Sequence, residues 1–363
     1  MSTMTRENTE LQSAVIGGVD THRDTHTAGV VDTTGRLLDH RAFPATTPGY
    51  RDLLAWMRTF GTLLKVGIEG TGAYGNGLAN YLTSQNVDLV EVDRPDRKTR
   101  RTVGKSDPID AESAARAALS GHRIGTPKTR TGPVEALRNL RVARRSAINQ
   151  RADCVRQMKT LIITAPEPLR DQLRSLTTTQ LIATCTGLRP DTSHIDHPAQ
   201  AAKLALRSLA RRHEHLSEEI TDLDAFITPL IAAIKPDLLD LNGVGPDVAG
   251  QLLVTAGENT DRLHSEAAFA MLCGVAPIPA SSGQTHRHRL NRGGDRQANA
   301  AIYRIVLCRL RHDTRTQAYM NRRTTEGLSK KDIIRCLKRI IAREIYYVLR
   351  QSEPTPNQPP TTT

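Results

Sequence analysis

An α/β domain followed by a mainly helical remainder is the fold class this sequence predicts, α/β plus α, and three observations predict it. Strand and helix signals alternate over residues 14–120. Two apolar, glycine-containing runs in that stretch each end at an acid, Val15-Ile16-Gly17-Gly18-Val19-Asp20 and Leu64-Lys65-Val66-Gly67-Ile68-Glu69. After Pro127 the spacing of apolar residues becomes that of long amphipathic helices.

In order, Ser13–Asp20 and Thr27–Asp32 read as a hairpin and Arg36–Phe43 as a third strand. Tyr50–Phe60 reads as a helix, Leu64–Glu69 as a strand, Ala73–Ser84 as a helix, Val87–Val92 as a strand and Asp107–Ser120 as a helix. Three antiparallel strands followed by helix-crossed strands is the order of an RNase H-like fold. Beyond it, Val134–Thr164 and Ala199–Ile234 carry apolar residues at helical spacing, joined through Pro166-Glu167-Pro168 and a shorter helical stretch. They predict an antiparallel helical stalk, whose exposed faces suit subunit pairing or nucleic acid, although a monomeric helical hairpin has the same pattern. The last twelve residues, Ser352 to Thr363, are rich in Pro and Thr and are expected to lack order.

The acids carry the chemical argument. Asp20 and Glu69 close buried strands, at a sheet end where ligands bind. Asp107 and Asp110 are three residues apart, with Pro108 suited to a first helical turn, so both lie on one face near a positive helix end. Taken singly, each reads as a helix cap or a strand-ending charge. Four converging carboxylates repel one another unless divalent cations neutralise them, and hard oxygen donors favour Mg2+ or Mn2+. Paired ions about 3.5–4 Å apart would clamp the attacking and leaving oxygens of a phosphodiester.

Charge points to a polyanionic partner. The chain has 50 Lys and Arg against 38 Asp and Glu, net +12, yet residues 1–125 hold 15 of each sign, so the whole excess lies in residues 126–363. Such a remainder suits phosphate neutralisation with counterion release. Aromatic residues make up 3 %, which argues against a broad base-stacking platform. The five cysteines are scattered without a C-x-x-C pair and read as free thiols of a reducing compartment. No apolar run approaches the length of a membrane span, and residues 1–12 lack a signal-peptide core, so a cytoplasmic, nucleoid-associated protein with no membrane partner is expected.

Three basic or glycine-rich segments complete the inventory. Between Arg94 and Lys105 lie six basic residues, among them Arg97, Lys98, Arg100 and Arg101, placed to hold a phosphate strand, or simply solvated. Leu241-Asn242-Gly243-Val244-Gly245-Pro246, after a short helix and before another, resembles a helix-hairpin-helix turn in which Gly243 and Gly245 let amides approach phosphate; a packing turn has the same signature. Finally, Ser281-Ser282-Gly283 precedes a loop with Arg287, Arg289, Arg292 and Arg296, beside His286 and His288. A serine among guanidinium groups can attack a phosphodiester, yet Ser-Ser-Gly is also a common flexible loop.

Taken together, Gly18-Val19-Asp20-Thr21-His22, Ile68-Glu69-Gly70-Thr71-Gly72-Ala73-Tyr74, Lys105-Ser106-Asp107-Pro108-Ile109-Asp110-Ala111, Gly243-Val244-Gly245-Pro246 and Ala276-Pro277 leading to Ser282-Gly283 resemble the DEDD transposases of bacterial insertion sequences (the 110/116/902 type), viewed as bridge-RNA-guided serine recombinases. The resemblance spans nearly all of residues 14–350. It implies a RuvC-like RNase H-fold domain over 14–125, a coiled-coil linker over 126–235 and a C-terminal, mainly helical serine domain over 236–351, between a disordered segment 1–13 and a disordered tail 352–363. It further implies that Asp20, Glu69, Asp107 and Asp110 bind metal and that Ser282, rather than Ser281, attacks DNA to give a phosphoserine intermediate. A noncoding bridge RNA pairing with donor and target DNA, and a homo-oligomer (dimer or tetramer), are implied as partners. One departure stands out: where the family often has a basic residue five positions after the glycine of the basic loop, Gly294 is followed by Asn299. Two other readings compete, a junction-resolving nuclease in which the acids alone hydrolyse DNA, and a non-catalytic nucleic-acid-binding remnant.

Overall fold

Strands β1 (Ala14–Thr21), β2 (Thr25–Asp32) and β3 (Leu37–Pro44) form an antiparallel meander, and β4 (Thr62–Glu69) and β5 (Leu89–Val92) add to β1 in parallel. Helix α1 (Thr47–Arg58) crosses from β3 to β4, α2 (Asn76–Ser84) from β4 to β5, and α3 (Asp107–Ser120) follows β5. With a short edge strand β6 (Ile124–Gly125), the sheet order is β3-β2-β1-β4-β5-β6, the mixed six-stranded arrangement consistent with an RNase H-like domain. The computed structural model describes residues 14–92, 106–122, 124–284 and 288–351. It falls into two compact units, Met1–Gly132 with Gly257–His264 and Pro133–Ala256 with Ser265–Thr363.

Strand alternation sets the layers of the first unit. Odd-numbered residues of β1 face α1 and α2: Val15 and Val19 join a core with Leu53, Met57, Leu78 and Leu82. Between them, a Cβ on Gly17 would lie 2.6 Å from the Met57 sulfur. Even-numbered residues face α3, where Ile16 packs with Ala114, Ala115 and Ala118. On that face Gly29, Gly18 and Gly67 stand side by side on β2, β1 and β4. A Cβ on Gly18 would meet the Ala115 nitrogen at 2.1 Å and the Ala111 carbonyl at 2.3 Å, and one on Gly67 would meet the Ala114 carbonyl at 2.6 Å. The glycine row thus lets an alanine-faced helix lie backbone-to-backbone on the sheet, closer than the usual layer spacing.

Helix α3 begins and ends where the sequence placed it. Ser106 in extended conformation precedes it, Pro108 sits in its first turn, and Gly121 closes it at φ +69°. Elsewhere the boundaries differ. The second helix starts at Asn76 because residues from Gly70 fold first into turns, Gly70 taking φ +79°. A two-residue strand, β6 (Ile124–Gly125), pairs antiparallel with β5 at the sheet edge; it is too short to leave a periodic signal. The segment Gly257–His264 returns to this unit. The Asn259 side chain donates to the Pro127 carbonyl (2.9 Å) and accepts from the Thr129 amide (3.2 Å), and the Thr131 amide donates to Glu258 (3.4 Å).

The second unit is helical. Its first two long helices, α4 (Pro133–Thr164) and α7 (Pro198–Ile234), run antiparallel: Arg144 forks onto Asp224, Arg151 donates to Ser217, and Met158 and Ile162 pack with Leu206 and Ala210. Between them, α5 (Glu167–Leu173) and α6 (Thr178–Thr186) bury Leu169, Leu173, Leu181 and Ile182 against one end of the pair. Then follow α8 (Pro246–Ala256), α9 (Glu266–Leu272), a minimal hairpin of β7 (Ile278–Pro279) and β8 (His288–Arg289), α10 (Arg296–His312), α11 (Thr314–Thr325) and α12 (Lys330–Arg350). Before α8, in place of the short helix expected from the sequence, stands one 3-10 turn, Pro236–Leu238. No helix among the described residues is long and apolar enough to cross a membrane.

The glycine row makes a direct prediction. Gly18→Ala forces the α3 backbone away from β1 and is expected to cost at least about 2 kcal/mol, as overpacking does. Gly125→Ala, where a Cβ meets nothing within 4 Å, is expected to be neutral. Paired denaturant melts of the two variants check this; equal stabilities would refute it.

Candidate active site

Both strand acids follow from the same alternation. Asp20 lies two residues beyond Gly18 and Glu69 two beyond Gly67, so both carboxylates project toward the α3 side of the sheet. The parallel register sets Asp20 beside Glu69, and the Thr21 hydroxyl donates to the Glu69 carbonyl (2.9 Å), tying the two strand ends together. Two strand residues advance about 6.6 Å. One helical turn, from Ala111 back to Asp107, retreats about 6 Å. The α3 N-terminus therefore reaches the strand ends as its alanines reach the glycines, and Asp107 and Asp110 extend the Ala111 and Ala114 rows.

Burial and charge make this cluster unusual. Asp20 and Glu69 are 8 % exposed and Asp110 5 %. The Asp107 side chain is half exposed at the rim. Burial raises the Asp20 carboxyl above the ordinary carboxylate range, and the charges of Glu69, Asp110 and Asp107 push it the same way against the opposing pull of His22. The structure thus brings all four sequence-selected acids into one electrostatic cluster. It also adds His22, whose Nδ1 lies 3.6 Å from Asp20 and whose Nε2 lies 3.9 Å from Asp107.

Asp20, His22 and Asp107 offer ligand atoms within 4.8 Å of one another, which suits a divalent cation. The donor chemistry fits: oxygen-rich, net negative, and half-buried where a cation relieves repulsion. His22 escaped selection from the sequence because only the hairpin turn after β1 folds it back toward the acids; its amide donates to the Thr25 carbonyl (3.1 Å).

The second centre lies in the second unit. Ser282 is exposed in the loop of the β7–β8 hairpin, followed by Gly283 at φ +54°. Beside that hairpin is a groove of about 840 Å3 whose lining includes Arg289, Arg292 and Arg296, three of the basic residues selected from sequence. The Gly293-Gly294 turn is fixed by close packing, since a Cβ on Gly294 would lie 2.2 Å from the Gly274 nitrogen. Asp295 then caps α10, accepting from the Gln297 and Ala298 amides and the Thr255 hydroxyl. Asn299, the departure from the basic pattern, donates to the Gly274 carbonyl (2.8 Å) and accepts from Lys338 Nζ (2.6 Å). A cation therefore reaches this position from α12, thirty-nine residues away in sequence.

The remaining candidates divide. Gly243, at φ +80°, packs against Ile305 and Cys308 of α10, while the Cβ direction of Gly245 is open. At the adjoining start of α8, Asp247 is shared by Arg141, Arg144 and Arg304. Burial alone would raise the Asp247 carboxyl, but these arginines hold it below its ordinary range. That helix end thus already has an anion. Arg97, Lys98, Arg100, Arg101, Lys105, His286 and Arg287 lie outside the described residues, as do segments 1–13 and 352–363.

Comparison with known proteins bears on both centres. Residues 17–164 match a family model described as "Transposase", of the IS110 DEDD type, and residues 236–321 match one described as "Transposase IS116/IS110/IS902 family". Together the matched segments span more than half of the chain. A protein of Streptomyces coelicolor, "Insertion element IS110 uncharacterized 43.6 kDa protein", is 29 % identical over 40 % of this chain and 37 % of its own length. The "Insertion element IS900 uncharacterized 42 kDa protein" of Mycobacterium paratuberculosis is 27 % identical over 42 % and 39 %. The chain thus spans less than half the length of these curated relatives.

A carboxyl whose pKa is raised by folding contributes stability that is complete at low pH and lost as pH rises through the folded-state pKa. Without cations, Asp20→Asn is therefore expected to melt higher than wild type at neutral pH, the gap closing on acidification. Millimolar Mn2+ is expected to raise the wild-type melting temperature and leave the variant nearly unmoved. Calorimetric melts with and without chelator check both; an Asp20→Asn variant less stable than wild type at neutral pH contradicts the electrostatic account.

Proposed function

Because the chain belongs to the transposase family of IS110, IS116 and IS902, we propose that it is an insertion-sequence transposase that cleaves and exchanges DNA strands with Ser282 as nucleophile and a divalent-cation site built on Asp20, Glu69, Asp107 and Asp110. The observation that carries this reading is the convergence of four carboxylates, three of them buried, at one end of an RNase H-like sheet. Burying that much negative charge is destabilising unless a cation is bound. A fold keeps such a cluster for function.

The proposed division of labour follows from the residues. A bound Mg2+ or Mn2+ would supply neutralisation of phosphate charge. The acids hold it, and His22 sits at the rim as a further donor or as a proton carrier. Ser282 is accessible to a bulky phosphodiester in a way a buried hydroxyl is not. Its oxygen bonds to phosphorus, a bond from phosphorus to a sugar oxygen breaks, and the departing oxygen takes up a proton while the serine loses one. Arg289, Arg292 and Arg296 stabilise the added charge at phosphorus. Donor and target DNA are the proposed substrates, with a structured bridge RNA as guide and a homo-oligomer as the working assembly. The basic excess of residues 126–363 supports a polyanionic partner.

The test is covalent trapping. With suicide DNA substrates, wild type is expected to form a protein–DNA adduct on the peptide containing Ser281 and Ser282. Ser282→Ala should lose adduct and recombination together by at least about a thousandfold, and Ser281→Ala should be mild. Asp110→Asn should abolish recombination with the fold retained. DNA cleavage by wild type with no adduct at any stage would move the chemistry to the acids alone, as in a junction-resolving nuclease.

A further inference from the structure

The groove beside the β7–β8 hairpin combines two surfaces that usually occur apart. Its lining includes exposed apolar side chains: Leu290 is 54 % and Ile340 48 % exposed, and Pro277 and Tyr319 stand with them. Cationic side chains share that lining. Arg335 is paired with Asp332 and Arg339 forks onto Glu266, whereas Arg289, Arg292 and Arg296 have no acidic partner among the described residues. Lys338 is held differently. Asn299 directs its carbonyl oxygen at the ammonium because its amide nitrogen is already committed to the Gly274 and Cys273 carbonyls. Burial, and then the neighbouring Arg335, pull the Lys338 pKa down, and an anion placed against the ammonium would oppose both effects.

That pairing of surfaces selects its occupant. A double helix keeps its base faces stacked inside and offers a protein phosphates and groove edges, leaving an apolar surface unfilled. An unpaired strand presents base faces and phosphates together, and base faces bind apolar and aromatic side chains with little regard to sequence. The hairpin that walls the groove also carries Ser282 in its loop, which favours DNA over RNA on the reading proposed above. We propose that this groove seats a short unpaired segment of DNA, its bases over Leu290, Tyr319 and Ile340 and its phosphates on Arg289, Arg292, Arg296 and Lys338. Lys338 then acts as the phosphate contact that Asn299 cannot make, with Asn299 as its positioning residue.

Fluorescence anisotropy with the full chain tests this, using short labelled oligonucleotides as single-stranded DNA, single-stranded RNA and duplex DNA. Wild type should bind unpaired DNA more tightly than duplex. Ile340→Glu, at a half-exposed position that tolerates a polar side chain, should weaken unpaired-DNA binding about tenfold or more while leaving duplex binding nearly unchanged. Lys338→Gln, which keeps a donor for Asn299, should reduce the salt slope for unpaired DNA by about 0.7. Equal losses on duplex and unpaired DNA, no loss with either variant, or a loss confined to RNA would each overturn the assignment. Ser282→Ala separates this from the serine reading. If wild type forms no adduct but the Ile340→Glu effect appears, the groove stands without the nucleophile. If adducts form and Ile340→Glu binds as wild type does, the nucleophile stands without the groove.

Discussion

The backbone contact between α3 and the glycines of β1 and β4 is the constraint on which the first unit depends. A helix packed on a sheet through ordinary side chains stands about 10 Å away. Here the interface is Gly18 and Gly67 against Ala111, Ala114 and Ala115, and the helix comes close enough that a single added methyl would collide with its main chain. Proximity is what the acids need. Short carboxylate side chains from a helix and from two strands can face one another only if their backbones are close, and Asp110 is short of reach at normal layer spacing. The same residues that look featureless in composition, glycine and alanine, therefore set the geometry of the charged cluster.

That geometry works against stability. The Asp20 carboxyl is raised by burial and by three like charges, with one histidine in opposition. Nothing in the hydrophobic packing requires acids there, since the cores on both faces close without them. The tension is local: Asp107 at the rim is in solvent, and the helix N-terminus supplies some positive potential to both helix acids. A site of mutually repelling carboxylates, held by a close-packed frame, is typical of places where a fold has been kept for chemistry at some cost in stability.

Much of the first unit was legible because its signals are local. The acids at strand ends and Pro108 in a first turn follow from short-range rules, and α3 occupies the residues those rules predict. His22 was not legible as part of the cluster, because its position depends on a turn that reverses the chain rather than on spacing. Lys338 was hidden for a different reason. The family resemblance led to the expectation of a basic residue where Asn299 stands, and only the packing of α12 against α10 shows a cation standing at that amide. The turn at Gly243 reads the same for phosphate binding and for helix packing; in the fold its glycine Cα lies against α10, and the adjoining helix start is already met by Asp247. Short-range rules cannot distinguish those two uses of a glycine.

The return of Gly257–His264 to the first unit carries no periodic or compositional mark, yet it has a consequence for how the chain comes off the ribosome. The six strands and α3 all precede residue 126 and can assemble early, but Pro127, Thr129 and Thr131 gain their protein partners only once Glu258 and Asn259 have been synthesised. The intervening stretch, long paired helices included, must emerge first. Closure of the Gly257–His264 segment onto residues 127–131 therefore waits for the translation of about 130 further residues, so this edge of the first unit is completed only after the helical insertion has been made.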